Sequence, residues 1–164
     1  MQAIHAKPEL VFRQIIEDGF NHGRLDSLSD VVADDLIEHQ LGAASGLTGL
    51  RSLIRGLREP FPDLHLEIQD TVTSGDMVWA RIRARGTNTG SLWGRPASGA
   101  AMEITVIDVA RVVDGKLVEH WGVADRLGML QQLGVAARNP TGAGSAARDA
   151  SSSESASLPN AQGR

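Results

Sequence analysis

The chain has 164 residues, 41% of them hydrophobic and 22% charged, with a formal net charge of −4; this fits one soluble domain with a real core. It carries neither a basic stripe for nucleic acid nor a polybasic run for a membrane surface. Cysteine and tyrosine are both missing, which excludes disulfides, thiolate catalysis and phenolic acids. Proton chemistry therefore falls to histidine, carboxylates, lysine or water.

The N-terminus has no charged segment followed by an apolar run, so no signal peptide or membrane span is expected and the cytoplasm is the default location. Pro8 suits the first turn of a helix. Phe12, Ile15, Ile16 and Phe20 then recur at helical spacing, predicting a helix over residues 8–21. A shorter helix follows, with Leu25, Leu28, Val31 and Val32 as its apolar face. Leu36-Ile37-Glu38-His39-Gln40 reads as a short strand, and residues 41–49 as a loop rich in Gly and Ala. Leu50, Leu53, Ile54 and Leu57 mark a third helix, which Pro60 and Pro62 stop.

Strands come next. Leu64, Leu66 and Ile68 alternate with polar residues, and Ser74-Gly75-Asp76 is a turn. Val78, Ala80, Ile82 and Ala84 form one face of the following strand; Trp79, Arg81, Arg83 and Arg85 form the other. A Gly-rich connection over residues 86–99 carries Trp93. Residues 102–113 make a long strand, Asp114-Gly115 a hairpin turn, and residues 116–124 the returning strand. Asp125 is placed to cap a last helix bearing Leu127, Leu130 and Leu133, and Gly134 is placed to end it. Helices segregated from an antiparallel meander predict an α+β fold, with a twisted sheet curled over its N-terminal helices. The folded domain is expected over residues 6–138. Residues 139–164 are Ala, Ser, Gly and Pro with scattered charges, the composition of a disordered tail.

Four strings, Gly86-Thr87-Asn88-Thr89-Gly90, Trp93-Gly94-Arg95-Pro96, Asp114-Gly115-Lys116-Leu117-Val118-Glu119-His120-Trp121 and Leu130-Gln131-Gln132-Leu133-Gly134, occur in this order. With that order of elements the chain resembles the SnoaL-like polyketide cyclases of the nuclear transport factor 2-like superfamily. The resemblance covers nearly the whole expected domain. It implies a cone-shaped curved sheet around a deep apolar pocket, a homodimer, and no metal or organic cofactor. It also implies ring closure on a polyketide ester, with an aspartate moving the proton and a histidine assisting. Matched residue by residue, the aspartate position falls on Gly122 and the histidine position on Asp108. Glycine cannot carry a proton, so the acid of the pocket moves to the neighbouring strand.

Asp108 lies in the apolar run Ile104-Thr105-Val106-Ile107-Asp108-Val109-Ala110 and shares parity with Val106 and Ala110. That favours an inward carboxylate acting as a base. The competing reading is an outer-face carboxylate paired with Arg81 or Arg83. His120 is its expected proton-transfer partner; the alternative is a half-buried ring bonded to a carbonyl. For substrate contact the sequence offers His39, Trp121, Gly122, Asp125 and Trp79. Each has a plain structural alternative: a strand-end histidine for His39, packing for Trp121, a helix cap for Asp125, and an outer or dimer face for Trp79. The five histidines lack metal-ligand spacing, and no serine-nucleophile or phosphate-loop motif occurs.

These residues predict a cofactor-independent cyclase for a hydrophobic, polyketide-like intermediate. It would close a ring by proton transfer through Asp108 and His120, or by shape-driven cycloaddition. Epoxide opening is an alternative, ranked lower because the arginines fall on the opposite strand parity. A non-catalytic binding or assembly module of the same fold is the other.

Overall fold

Pro8 opens α1 (Pro8–Gln14), where its missing N–H is no loss because first-turn donors have no intrahelical partner. The computed structural model describes residues 7–137. The expected single helix changes character halfway: Ile15–Asn21 is a π-helical segment. The His22 N–H reaches back five residues to the Glu17 carbonyl at 3.0 Å. Gly19 sits within this segment. A Cβ there would stand 3.1 Å from Ile54 Cδ1 and 3.2 Å from Leu28 Cδ2, so only a residue without one lets these two side chains pack so closely.

Helix α2 is a single turn, Leu28–Val31. Val32, expected on its apolar face, instead begins strand β1 (Val32–Glu38), in keeping with the extended preference of β-branched residues. Helix α3 (Gly46–Arg58) starts earlier than its leucine spacing suggested. The loop before it therefore shrinks to residues 39–45, and a Cβ at Gly49 would overlap the returning Ala44 carbonyl.

Strands β2 (His65–Ser74), β3 (Met77–Thr87), β4 (Ala101–Val113) and β5 (Lys116–Ala124) pair antiparallel in sequence order. The sheet order is β1-β5-β4-β3-β2. Strand β1 joins β5 in parallel, a pairing outside the antiparallel meander that the sequence predicted for the later strands. Hairpin signals report only neighbouring strands, whereas this pairing joins segments some eighty residues apart, as in Glu38 opposite His120. Register slips between Arg111 and Val112, whose partners are Glu119 and Leu117. Val118 is left over, and Leu117 rather than Val118 is buried on the inner face.

That inner face buries Val78, Ala80, Ile82, Ala84, Ala110 and Val112 together with Val11, Phe12, Ile15 and Ile16 from the N-terminal helical stretch. The result is the expected α+β architecture of a curved sheet covered by N-terminal helices. Buried Asn88 organises the long connection: its amide donates to the Gly90 carbonyl at 2.9 Å and its oxygen accepts from the Ser98 N–H at 2.8 Å. Asp125 caps α4 (Arg126–Gln132), accepting from the Gly128 N–H at 2.8 Å. Gly134 follows with φ 72°. Within α4 the burial comes from Met129, with Leu133 beside it, while Leu127 is exposed. The expected disordered tail, residues 139–164, lies outside the described residues. Among the described residues no helix is long and apolar enough to cross a membrane.

Candidate active site

Asp108 sits on β4 opposite Gly122 of β5 and Ala80 of β3. Its strand parity turns it inward, and it is 7% exposed. A carboxylate held there without partners is costly. The partner is His120, whose Nε2 lies 3.5 Å from Asp108 Oδ1. That is an ion pair at the long end of the range rather than a formed hydrogen bond, and Oδ1 is buried with no donor closer. The carboxylate is charge-compensated but geometrically under-satisfied.

The other side of the imidazole is held tightly. His120 Nδ1 lies 2.9 Å from Glu38 Oε2 and 3.0 Å from Oε1. The side chains of Glu38, Asp108 and His120 are 2%, 10% and 13% exposed. Burial by itself disfavours the charged ring, but the close Asp108 carboxylate and the hydrogen-bonded Glu38 carboxylate outweigh it and raise the His120 pKa to about 9. The ring is therefore an imidazolium at neutral pH, a donor of protons and hydrogen bonds rather than a base.

Glu38 was not singled out from the sequence. Its signal was present nonetheless: Leu36 is core, so the alternation of β1 sends Glu38, and Gln40 just beyond the strand, to the same side and His39 to the other. Gln40 closes over Gly122. A Cβ at Gly122 would overlap Gln40 Oε1 and come within 2.9 Å of Asp108 Oδ1 and 3.0 Å of His120 Cε1. Gly122 thus lies beside Gln40, Asp108 and His120.

Three other expected contacts point away from this cluster. His39 faces outward, stacked on Trp121 with ring centroids 4.7 Å apart and bonded through Nε2 to Glu119 at 2.9 Å. Glu119 also takes a bond from Arg111 Nε at 3.0 Å, and Arg111 reaches Asp76 at 2.9 Å. The His39 ring and then the Arg111 guanidinium hold the Glu119 carboxyl below the usual carboxylate range. The expectation that His39 reaches the cavity is corrected by strand alternation. Trp121 shares that outer face for the same reason. So does Trp79, which is 53% exposed opposite Val109. Asp125 is exposed and occupied as a cap.

Arg81 and Arg83 pair with Asp70 and Glu67 on the outer face, and Arg85 is exposed in register with outward Glu103. The pairing of Asp108 with Arg81 or Arg83, open from the sequence, is thereby excluded, and among the described residues no arginine is ion-paired with Asp108 in the manner epoxide opening would want. A recess of about 400 Å³ is lined by Asp63, Arg85, Thr87, Met102 and Gln132 among others, and one of about 310 Å³ by Gln69, Arg81, Arg83 and Asp125 among others. Neither includes Asp108, His120 or Glu38. Their polar groups are largely paired already, as Asp63 is with the Thr87 N–H and hydroxyl. The buried carboxylate–imidazole cluster is the stronger mark of chemistry. Among the described residues no group of three His, Asp or Glu is arranged to hold a metal ion.

Comparison with known proteins identifies the family. The family model for SnoaL-like polyketide cyclases matches residues 10–133. Aklanonic acid methyl ester cyclase DauD of Streptomyces sp. (strain C5) is 28% identical over 140 residues, spanning 82% of this chain and 85% of that protein. Nogalonic acid methyl ester cyclase of Streptomyces nogalater is 29% identical over 121 residues, spanning 70% and 89%. The crystal structure of IdmH from Streptomyces antibioticus superimposes with a TM-score of 0.72 at 34% identity, covering 79% of this chain and all of IdmH. With a family match across almost all the described residues, the chain belongs to the SnoaL-like polyketide cyclases.

Proposed function

We propose that this cyclase closes a ring in a polyketide by intramolecular aldol chemistry, without a cofactor, using Asp108 as base and His120 as acid. The observation that carries the reading is the under-satisfied, buried Asp108 Oδ1 beside an imidazolium. Asp108 takes a proton from a carbon next to a carbonyl. The C–H electron pair moves into the carbonyl to give an enolate, and the enolate carbon bonds to a second carbonyl of the same molecule. The new alkoxide recovers the proton from Asp108, so atoms and charge balance with no external reactant. His120 donates to the developing oxyanion throughout, and Glu38 keeps its ring charged and oriented.

The methyl esters in the names of the two curated relatives make that class the first substrate to try. With aklanonic acid methyl ester, Asp108→Asn should lower kcat by roughly 10²- to 10⁴-fold while leaving the fold intact by circular dichroism. Full turnover by that variant would remove the proton-transfer role and leave shape-driven closure. A flat polyketide should also bind in equilibrium titration, as a pure assembly module would not.

The same reading includes a homodimer formed through the outer sheet face. Val72, Trp79, Val109 and Trp121 follow one another in register across four strands, with Ile107 and Val123 in the next row. Val72, Trp79, Ile107 and Val123 are all exposed. A contiguous apolar patch of this kind is characteristic of association surfaces.

A further inference from the structure

Gly122 leaves a hole on the inner face of β5 directly opposite Asp108, and the Gln40 carboxamide reaches into it. Three polar groups from three segments thereby converge on one point: Gln40 from the end of β1, Asp108 from β4 and His120 from β5. The Gln40 backbone is fastened to the same cluster. Its N–H donates to Glu38 Oε1 at 2.8 Å, the oxygen that also lies 3.0 Å from His120 Nδ1. Its carbonyl accepts from the Ala43 N–H at 3.1 Å, closing the turn that follows. The carboxamide itself makes no hydrogen bond to any described residue, although Gln40 is half-buried. A half-turn about its last torsion presents either the oxygen or the two N–H donors to the point where Asp108 and His120 meet.

We propose that Gln40 is the substrate-orienting residue of this site: Gly122 frees the volume beside Asp108 for its carboxamide, which yields that volume to an incoming ketone or ester carbonyl and donates a hydrogen bond to it. The proposal rests on the reading of Asp108 and His120 as the reacting pair. The backbone anchor on Glu38 fixes where the amide starts, and the free side chain supplies the movement. A carbonyl held this way would place its adjacent C–H toward Asp108, which is the alignment that proton abstraction needs. A side chain at position 122 would displace the amide, so Gly122 and Gln40 act as one unit.

The test is steady-state kinetics on the full chain with aklanonic acid methyl ester, comparing wild type, Gln40→Leu, Gln40→Asn, Gly122→Ala and the Gln40→Leu/Gly122→Ala double variant. Gln40→Leu should lose about 10²-fold in kcat/KM with the pH profile unchanged, and Gln40→Asn should recover part of that loss because it keeps an amide. Gly122→Ala should resemble Gln40→Leu, and the double variant should be no worse than the poorer single variant. Wild-type kcat/KM in Gln40→Leu, or losses that multiply in the double variant, would overturn the proposal. Asp108→Asn is measured alongside. If it keeps its turnover while Gln40→Leu loses its own, the base assignment fails and the orienting role stands. If Asp108→Asn is inactive and Gln40→Leu is normal, the reverse holds.

Discussion

His120 carries one proton between two carboxylates, and this ties folding to pH. Its folded pKa of about 9 lies above the ordinary 6.5, so the native state binds the proton more tightly than the unfolded chain does. The stability this contributes is present in full below about pH 6.5 and is lost as pH rises through 9. Each unit of elevation corresponds to about 1.4 kcal/mol. Urea midpoints should therefore fall between pH 6.5 and 9.5, and His120→Gln should flatten the dependence over that window. A wild-type midpoint independent of pH across the same range would contradict a charged His120. Substitution of Glu38 gives a second view of the cluster. Glu38→Gln removes the carboxylate that holds Nδ1, and should lower the His120 pKa, read from the ring C–H resonances by NMR titration. The inward position of Asp108 was legible from its apolar neighbours because β4 alternates without interruption from Met102 to Arg111. For His39 the sequence left a pocket contact and a strand-end surface position both open, and the buried Leu36 two residues before Glu38 sets the parity that turns it outward.

At the scale of elements, short-range signals marked ends better than they marked geometry. Asp125 and Gly134 bracket α4 as their residue types require. Asp125→Ala should cost about 1 kcal/mol through loss of the bond to Gly128 N–H, and chemical denaturation would show it; because this aspartate is a cap, turnover should change little. A large loss of activity at unchanged stability would instead restore Asp125 to the site. The π-helical segment, the early start of α3 and the leftover Val118 in β5 were not legible. Each depends on how a segment meets another: Gly19 against Ile54 and Leu28, Gly49 against Ala44, β5 against β4. Apolar spacing carries the period of an element but not the contacts that shift its hydrogen bonds by one residue.

At the scale of the whole molecule, the two faces of the sheet divide the work. The inner face holds the core and the Glu38–His120–Asp108 cluster. The outer face holds the paired arginines, the Asp76–Arg111–Glu119–His39 chain and the exposed apolar rows. If those rows join two copies, Trp79→Glu or Val123→Glu should shift the sedimentation coefficient from dimer to monomer at micromolar concentration, with the His120 titration intact. A wild-type chain that sediments as a monomer at every concentration would sink the dimer. Composition, alternation and a few motif strings were enough, from the sequence alone, to determine the α+β class, the sheet hairpins and the family, and to favour the inward turn of Asp108, because all of these follow from local pattern. Tertiary structure decided the parallel docking of β1 on β5. That single long-range pairing brings Glu38 to His120 and Gln40 to Gly122, and it converts an isolated buried acid into a charged, oriented site.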